Sequence, residues 1–283
     1  MDIFHHSRQL RKHVESIREA GSIIGFVPTM GALHEGHLSL VKTALKNTDH
    51  VVVSIFVNPT QFNSKKDLET YPRTLDADIS LLKTIDSTNI SVYAPSVKDI
   101  YGTTLKTESF DFGGLEDVME GAYRKGHFDG VGTIVKHLFE SIEPDKAFFG
   151  EKDYQQLLII KHLVKHYKLG VEIIGCPIYR EEDGLAMSSR NVRLSGQQRK
   201  AAPFIYATLK TAKHKFGTKS AKYVTEWVTN QFKKQEFLDL EYFLIADSET
   251  LKPVKRKSKN RSYRAFIAVY AGDVRLIDNI ALN

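Results

Sequence analysis

Four short segments of this 283-residue chain gather the residue types that handle anions. The first is Pro28-Thr29-Met30-Gly31-Ala32-Leu33-His34-Glu35-Gly36-His37, between a short apolar run and a helical pattern. Small residues let backbone approach a ligand closely, and a helix N-terminus presents N–H groups to phosphate. His34 and His37, three positions apart, lie on one side of such a turn and can donate to phosphate oxygens. Zinc is a poorer reading, because His-Glu-x-x-His places its ligands four apart and no third ligand accompanies this pair. The second segment is Asn58-Pro59-Thr60-Gln61-Phe62, where neutral amides suit hydroxyls or a carboxylate but also cap turns. Tyr71-Pro72-Arg73 carries the same ambiguity. In the third, Gly150-Glu151-Lys152-Asp153-Tyr154-Gln155-Gln156, Lys152 can reach a phosphate as a point charge. Asp153 there can accept from a sugar hydroxyl or cap a helix. The fourth, Asp183 to Asn191, offers the Ser188 and Ser189 hydroxyls, the Arg190 guanidinium and backbone donors, a set suited to a polyphosphate.

Enzyme nucleophiles are poorly represented. No Gly-x-Ser-x-Gly elbow, Walker lysine motif or dinucleotide fingerprint occurs. Cys176, the one cysteine, precedes Pro177 at the end of an apolar run and reads as a small core residue. Asp76 and Asp78 fall in a helical pattern and read as a solvated face or a cap.

The elements that must carry these segments follow from two periodicities. Residues 23–27, 51–57, 90–94, 147–149 and 171–176 are apolar runs of strand length. Helical patterns lie between them, at 10–17, 37–47, 131–142 and 154–167, the third with an i, i+3, i+4, i+7 stripe from Val131 to Ile142. Near-continuous apolar strands alternating with helices predict a Rossmann-like, doubly wound parallel sheet of the α/β class. Ligands of such sheets bind at the carboxyl ends of the strands, where three of the four segments fall. After about residue 178 the pattern changes to two helices, 196–216 and 219–234. Strand-like runs at 240–246, 264–271 and 274–277 follow. The expected division is therefore a Rossmann-like domain over 1–178 and a smaller α+β domain over 179–283.

Composition narrows the class. Hydrophobic residues make up 42% of the chain and mean hydropathy is −0.29, as in soluble globular proteins. No apolar run reaches the ~18 residues of a membrane span, and the first dozen residues lack a signal-peptide core. A cytoplasmic location without membrane partners is expected. Forty basic against 34 acidic residues give a charge of +6. Seven of those cations lie in thirteen residues, Lys252, Lys255, Arg256, Lys257, Lys259, Arg261 and Arg264; without them the chain holds 33 basic and 34 acidic residues. The cluster reads as a solvated loop, alternatively as extra attraction for anions. No appendage for nucleic acid is evident, and no nucleic-acid partner is expected.

The Met30–His37 stretch resembles the HIGH motif of the nucleotidyltransferase superfamily, and Met187-Ser188-Ser189-Arg190 resembles its KMSKS partner, without the closing lysine. A narrower resemblance covers essentially the whole chain. Pro-Thr-Met-Gly-Ala-Leu-His, Phe-Val-Asn-Pro-Thr-Gln-Phe, Tyr-Pro-Arg-Thr and Gly-His-Phe-Asp-Gly-Val at 126–131 match the pantoate–β-alanine ligase family in order and spacing. So do Phe-Gly-Glu-Lys-Asp-Tyr-Gln-Gln, Asp-Gly-Leu-Ala-Met-Ser-Ser-Arg-Asn and the closing Arg275-Leu276-Ile277-Asp278-Asn279. The resemblance implies condensation of pantoate with β-alanine through a pantoyl adenylate, with release of pyrophosphate and AMP. It further implies that Met30, Gly31, Ala32, Leu33, His34, Glu35, Gly36 and His37 bind ATP, as do Gly150, Glu151, Lys152, Asp153, Tyr179, Met187, Ser188, Ser189 and Arg190. Catalytic assistance would fall to His34, His37, Lys152, Ser188, Ser189 and Arg190. Gln61, Gln156, Asn58 and Tyr71 would bind pantoate or β-alanine, with Thr29 and His127 nearby. Mg²⁺ would arrive with ATP, Asp76 and Asp78 being at most outer-shell contacts, and the family suggests a homodimer. The alternative is another HIGH-motif nucleotidyltransferase that transfers AMP or CMP to a phosphorylated small molecule.

Overall fold

The computed structural model describes all residues, 1–283. Met1–Glu151 with Gln155–Pro177 pack into one unit, and Ile178–Asn283 with Lys152–Tyr154 into a second.

The first unit runs β1 (Asp2–Phe4), α1 (Ser7–Glu19), β2 (Ile24–Thr29), α2 (Glu35–Leu45), β3 (His50–Ile55), α3 (Lys65–Thr70), α4 (Leu75–Lys83) and β4 (Ile90–Tyr93). It continues with α5 (Val97–Tyr101), α6 (Glu120–Tyr123), α7 (His127–Ile142), β5 (Lys146–Gly150), α8 (Tyr154–Tyr167) and β6 (Glu172–Cys176). The six strands form one parallel sheet in the order β1-β4-β3-β2-β5-β6, the α/β arrangement expected. Strands β2, β3 and β5 bury Phe26, Val27, Val51, Val52, Val53, Ala147 and Phe148 completely, so residues on both faces of the sheet are covered.

The strand order reverses between β2 and β5. These two pair only at Gly25–Lys146 and Phe26–Ala147, while β2 continues alongside β3 to Thr29–Ile55. Pro28, which the apolar pattern leaves outside the strand, thus sits within β2 opposite Ser54, where no β5 residue needs its missing N–H. The parting of the strands is the crevice of a doubly wound sheet. Strand β1, only three residues long and so too short to show a period, is recovered only through its pairing with β4.

The second unit contains α9 (Gly196–Ala201), α10 (Phe204–Thr218), α11 (Ala221–Phe232), β7 (Asp239–Asp247), β8 (Tyr263–Ala271) and β9 (Val274–Ala281). The three strands form an antiparallel sheet whose core includes Leu209, Phe216, Val228, Ile245 and Ile267. The single helix expected over 196–216 is two, divided around Pro203, which lacks the N–H to continue a helix. Strand β9 extends four residues beyond the apolar pattern, through the buried Asp278 and Asn279. The basic cluster is also not wholly a solvated loop. Arg264 lies in β8 and is buried, the Lys257 ammonium donates to the Phe216 carbonyl, and Arg261 pairs with Asp247 at 3.2 Å.

One buried polar group makes this fold sensitive to acid. Ser91 Oγ lies 2.9 Å from His50 Nε2 and 3.0 Å from His13 Nε2. Burial, with His13 alongside, pushes His50 down from 6.5 to about 4, against weaker opposition from Asp2 and Asp86. A depressed histidine favours the neutral folded form, so its contribution is complete above about pH 6.5 and is lost as the pH falls towards 4. The linkage ceiling is about 3 kcal/mol. The variant His50→Gln is expected to lose less stability than the parent between pH 6.5 and 4, measured by urea unfolding. Identical losses would dismiss His50 as the source.

Candidate functional site

At the carboxyl end of β2 the chain turns through Gly31 (φ +80°) and Ala32 (φ +50°) before α2 begins. Left-handed geometry is free for glycine but costs about 1 kcal/mol for alanine. Asp78 on α4 holds the turn. Its carboxylate accepts from Ala32 N–H at 3.0 Å, Leu33 N–H at 2.7 Å and Thr74 Oγ1 at 3.2 Å. A side chain on Gly31 would come within 3.0 Å of the same carboxylate. Asp78 is 2% exposed, so the expectation of a solvated face is corrected: it is a buried clamp whose two oxygens both accept hydrogen bonds. Asp76, two residues earlier, is exposed.

The clamp changes what the turn can offer a ligand. Of the N–H groups expected to face phosphate, those of Ala32 and Leu33 go to Asp78, and that of Gly36 goes to His34 Nδ1 at 3.1 Å. His34 is the N-cap of α2. An accepting Nδ1 leaves the neutral ring's proton on Nε2, so the atom with which His34 can donate is Nε2. His37 lies one turn along, its ring 4.1 Å from that of His34 and tilted by 33°. The segment therefore presents imidazole donors more than backbone donors.

Gln61 stands at the edge of the same turn, its amide nitrogen 2.6 Å from Met30 Sδ. A short 3₁₀ turn, Pro59–Gln61, places it, and buried Asn58 builds that turn. Asn58 Oδ1 accepts from Tyr101 at 2.6 Å and from Thr60 Oγ1 at 3.0 Å, and Asn58 Nδ2 donates to Gly130 O at 3.1 Å. Gly130 must lack a side chain, because a Cβ there would lie 2.5 Å from Thr60 O. The Gln61 carbonyl contacts His127 Nδ1 at 2.8 Å and accepts from Arg124 at 3.0 Å. The Gly-His-Phe-Asp-Gly-Val motif is thus the platform on which the glutamine turn is seated. Tyr71 is buried edge-on against Phe62, its ring packed with the turn.

Gly150 and Glu151 follow β5, and Gln156 is half-buried on the first turn of α8. Its neighbour Gln155 is structural: it donates to Leu115 O and Val118 O, both at 2.7 Å, and accepts from Glu120 N–H. Cys176 is buried and its thiol is pushed up to about 11 by burial and Glu151, in keeping with a core residue.

Within the second unit, Tyr179–Met187 forms a tight hairpin. Arg180 pairs with Ala186, Tyr179 O accepts from Met187 N–H at 3.0 Å, and Gly184 (φ +93°) turns against the Tyr206 ring. Arg180 stacks 3.6 Å above Tyr206 and makes a bidentate pair with Asp278 at 2.7 and 2.9 Å. The hairpin delivers Met187, Ser188, Ser189 and Arg190 into a half-buried turn, in which Ser188 Oγ accepts from Arg190 N–H at 3.3 Å. The same unit holds Lys152, whose Nζ lies 3.5 Å from Asp153 Oδ1. Sequence reading misses Arg124 and Arg180 and gives no sign of the holding roles of Asp78, Gln155 and Arg264. Each acts through a partner distant in the chain and carries no local spacing signal.

Known proteins supply an independent comparison. The pattern of the pantoate-beta-alanine ligase family matches residues 2–281. Pantothenate synthetases from Christiangramia forsetii and Flavobacterium psychrophilum are 59% and 54% identical, each alignment covering 100% of both chains. Among solved structures, the pantothenate synthetase of Thermus thermophilus superposes with a TM-score of 0.91 at 37% identity, covering 100% of this chain and 99% of that one. The pantoate-beta-alanine ligase of Francisella tularensis, complexed with beta-gamma ATP and beta-alanine, gives 0.80 at 39% identity over 100% of this chain and 98% of its own. With the four motif segments in family order along its whole length, this chain belongs to the pantoate–β-alanine ligase family.

Proposed function

We propose that this protein joins pantoate to β-alanine at the expense of ATP, in two steps. A pantoate carboxylate oxygen attacks the α-phosphorus of ATP; the bond to the bridging oxygen breaks and pyrophosphate leaves. The β-alanine amine then attacks the acyl carbon of pantoyl adenylate, and AMP leaves with the electrons of the C–O bond. The substrate carboxylate is the nucleophile, which accords with a chain lacking an activated serine or cysteine. The protein's work is to hold two anions together and stabilise the charge that develops on the phosphates.

The observation that carries this reading is the clamped turn after β2, where two imidazoles and the Gln61 amide converge at the switch point of the sheet. His34 and His37 donate to the α-phosphate and departing pyrophosphate. Lys152 supplies a point charge, Asp153 accepts from the ribose, and Ser188, Ser189 and Arg190 close on the triphosphate. Gln61 and Gln156 take the pantoate hydroxyls and carboxylate. Asn58 and Tyr71 contribute to binding pantoate or β-alanine in the same region, with Thr29 and His127 nearby. Residues 1–178 hold ATP and pantoate, and residues 179–283 serve as a lid. Mg²⁺ rides on the ATP phosphates, with Asp76 and Asp78 of α4 at most outer-shell contacts. The protein works as a cytoplasmic homodimer.

The direct test is one assay in which ATP, pantoate and β-alanine are omitted in turn. Pantoate-dependent exchange of pyrophosphate into ATP without β-alanine is expected, and AMP release should require the amine. AMP transfer to a phosphorylated acceptor instead would identify the alternative nucleotidyltransferase. Lys152→Ala should slow adenylate formation about 10²- to 10³-fold, a loss of roughly 3 to 4 kcal/mol. Single-turnover kinetics check this, and a change below about fivefold would remove Lys152 from the chemistry. Asp78→Asn places an amide N–H₂ against backbone N–H donors. It should destabilise the protein by about 1–3 kcal/mol and lower kcat/KM for ATP by more than about tenfold. Parent-like kinetics would show that the turn holds its shape without the clamp.

A further inference from the structure

The segment carrying Lys152 is held at both ends by β8 and β9. Asn279, 2% exposed on β9, donates from Nδ2 to the Lys152 carbonyl at 2.9 Å. Its Oδ1 accepts from Arg264 on β8, and its own N–H donates to Asp278 Oδ1 at 2.7 Å. Arg264 in turn lies 4.0 Å above the ring of Tyr154, which also packs on Phe266, the residue paired with Asn279 across the ladder. Residue 152 is thus gripped through its carbonyl and residue 154 through its ring, and the two grips are bonded to each other. The amide cannot turn over, since its oxygen is committed to a buried cation and its nitrogen to a carbonyl.

We infer that Asn279 is a positioning residue for Lys152: by fixing the Lys152 carbonyl against the Arg264–Tyr154 pair, it sets the direction from which the ammonium meets the transferring phosphate. The inference rests on the catalytic role given to Lys152 above. Asn279 stands 127 positions downstream and touches no reacting atom, so it acts only through the segment it holds. Its neighbour Asp278 binds Arg180 of the Tyr179–Met187 hairpin. Two consecutive residues of β9 therefore anchor two ATP-binding segments, which gives Arg275-Leu276-Ile277-Asp278-Asn279 a physical task.

The test is a double-mutant cycle on the full-length protein. Asn279→Asp keeps the acceptor facing Arg264 and removes the donor to Lys152; Asn279→Ala removes both. Each is expected to slow pantoate-dependent ATP–pyrophosphate exchange about 10- to 100-fold through kcat, the loss typical of a catalytic group displaced by about an ångström. The KM for pantoate should stay within about twofold. In a Lys152→Ala background the same substitutions should cost less than about twofold more, because the group they position is gone. Additive losses, parent-like rates, or a rise in pantoate KM equal to the loss in kcat would overturn the role. Failure of both variants to fold, judged by circular dichroism and thermal melting, would assign Asn279 to folding instead. An inactive parent protein would overturn the functional reading as well, whereas an active parent with additive losses would overturn only this inference.

Discussion

Strands β2 and β5 share two residue pairs and then separate, and the functional geometry of the first unit depends on where they separate. Had pairing continued, Pro28 would face a ladder it cannot join and the turn at Gly31 would have no opening to project into. The early break leaves β2 supported on one side by β3, frees the turn after Thr29, and puts the imidazoles at the reversal of strand order. The turn itself is not a relaxed one. A left-handed alanine and two backbone donors are stabilised together by one carboxylate from α4, so the shape of the turn is set by a residue 45 and 46 positions away.

That arrangement shifts recognition from backbone to side chains. Many phosphate sites rely on consecutive free N–H groups at a helix start. Here the Asp78 clamp and the His34 cap occupy the N–H groups of Ala32, Leu33 and Gly36, and the donors that remain prominent are imidazole nitrogens. An imidazole can be aimed through its rotamer, whereas a backbone N–H is fixed by the turn that carries it. Gln61 is likewise aimed: Met30, Asn58, Arg124 and His127 surround it, and the bare α-carbon of Gly130 lets the 3₁₀ turn lie directly on α7.

In the second unit the same logic uses buried charge. Arg180 and Asp278 are paired bidentately, and Arg264 is sandwiched between an amide and an aromatic ring. Such groups contribute little net stability, because desolvation offsets most of the attraction, but removing one partner is costly. Their value lies in orientation. The polar end of β9 departs from an apolar strand pattern because its side chains are anchors for other segments.

The sequence by itself determined the parallel sheet, the change of architecture near residue 178, and the four segments at element boundaries. Burial on both faces forces long apolar strands, helices show their period, and glycines and prolines mark turns wherever they stand. It also carried the family resemblance, since motif order survives without coordinates. The tertiary structure decided which polar residues are committed to holding other segments of the chain. Asp78 read as surface because its helix is amphipathic and its partners are backbone N–H groups 45 and 46 positions away. Gln155 has the side chain of a binding residue, yet its amide satisfies the structure around it. Strand β9 read as ending at Ile277, because nothing local reveals that Arg180 and Arg264 will neutralise and bind Asp278 and Asn279. Periodicity records burial in apolar surroundings; it is silent where burial is achieved by hydrogen bonding to a distant part of the chain.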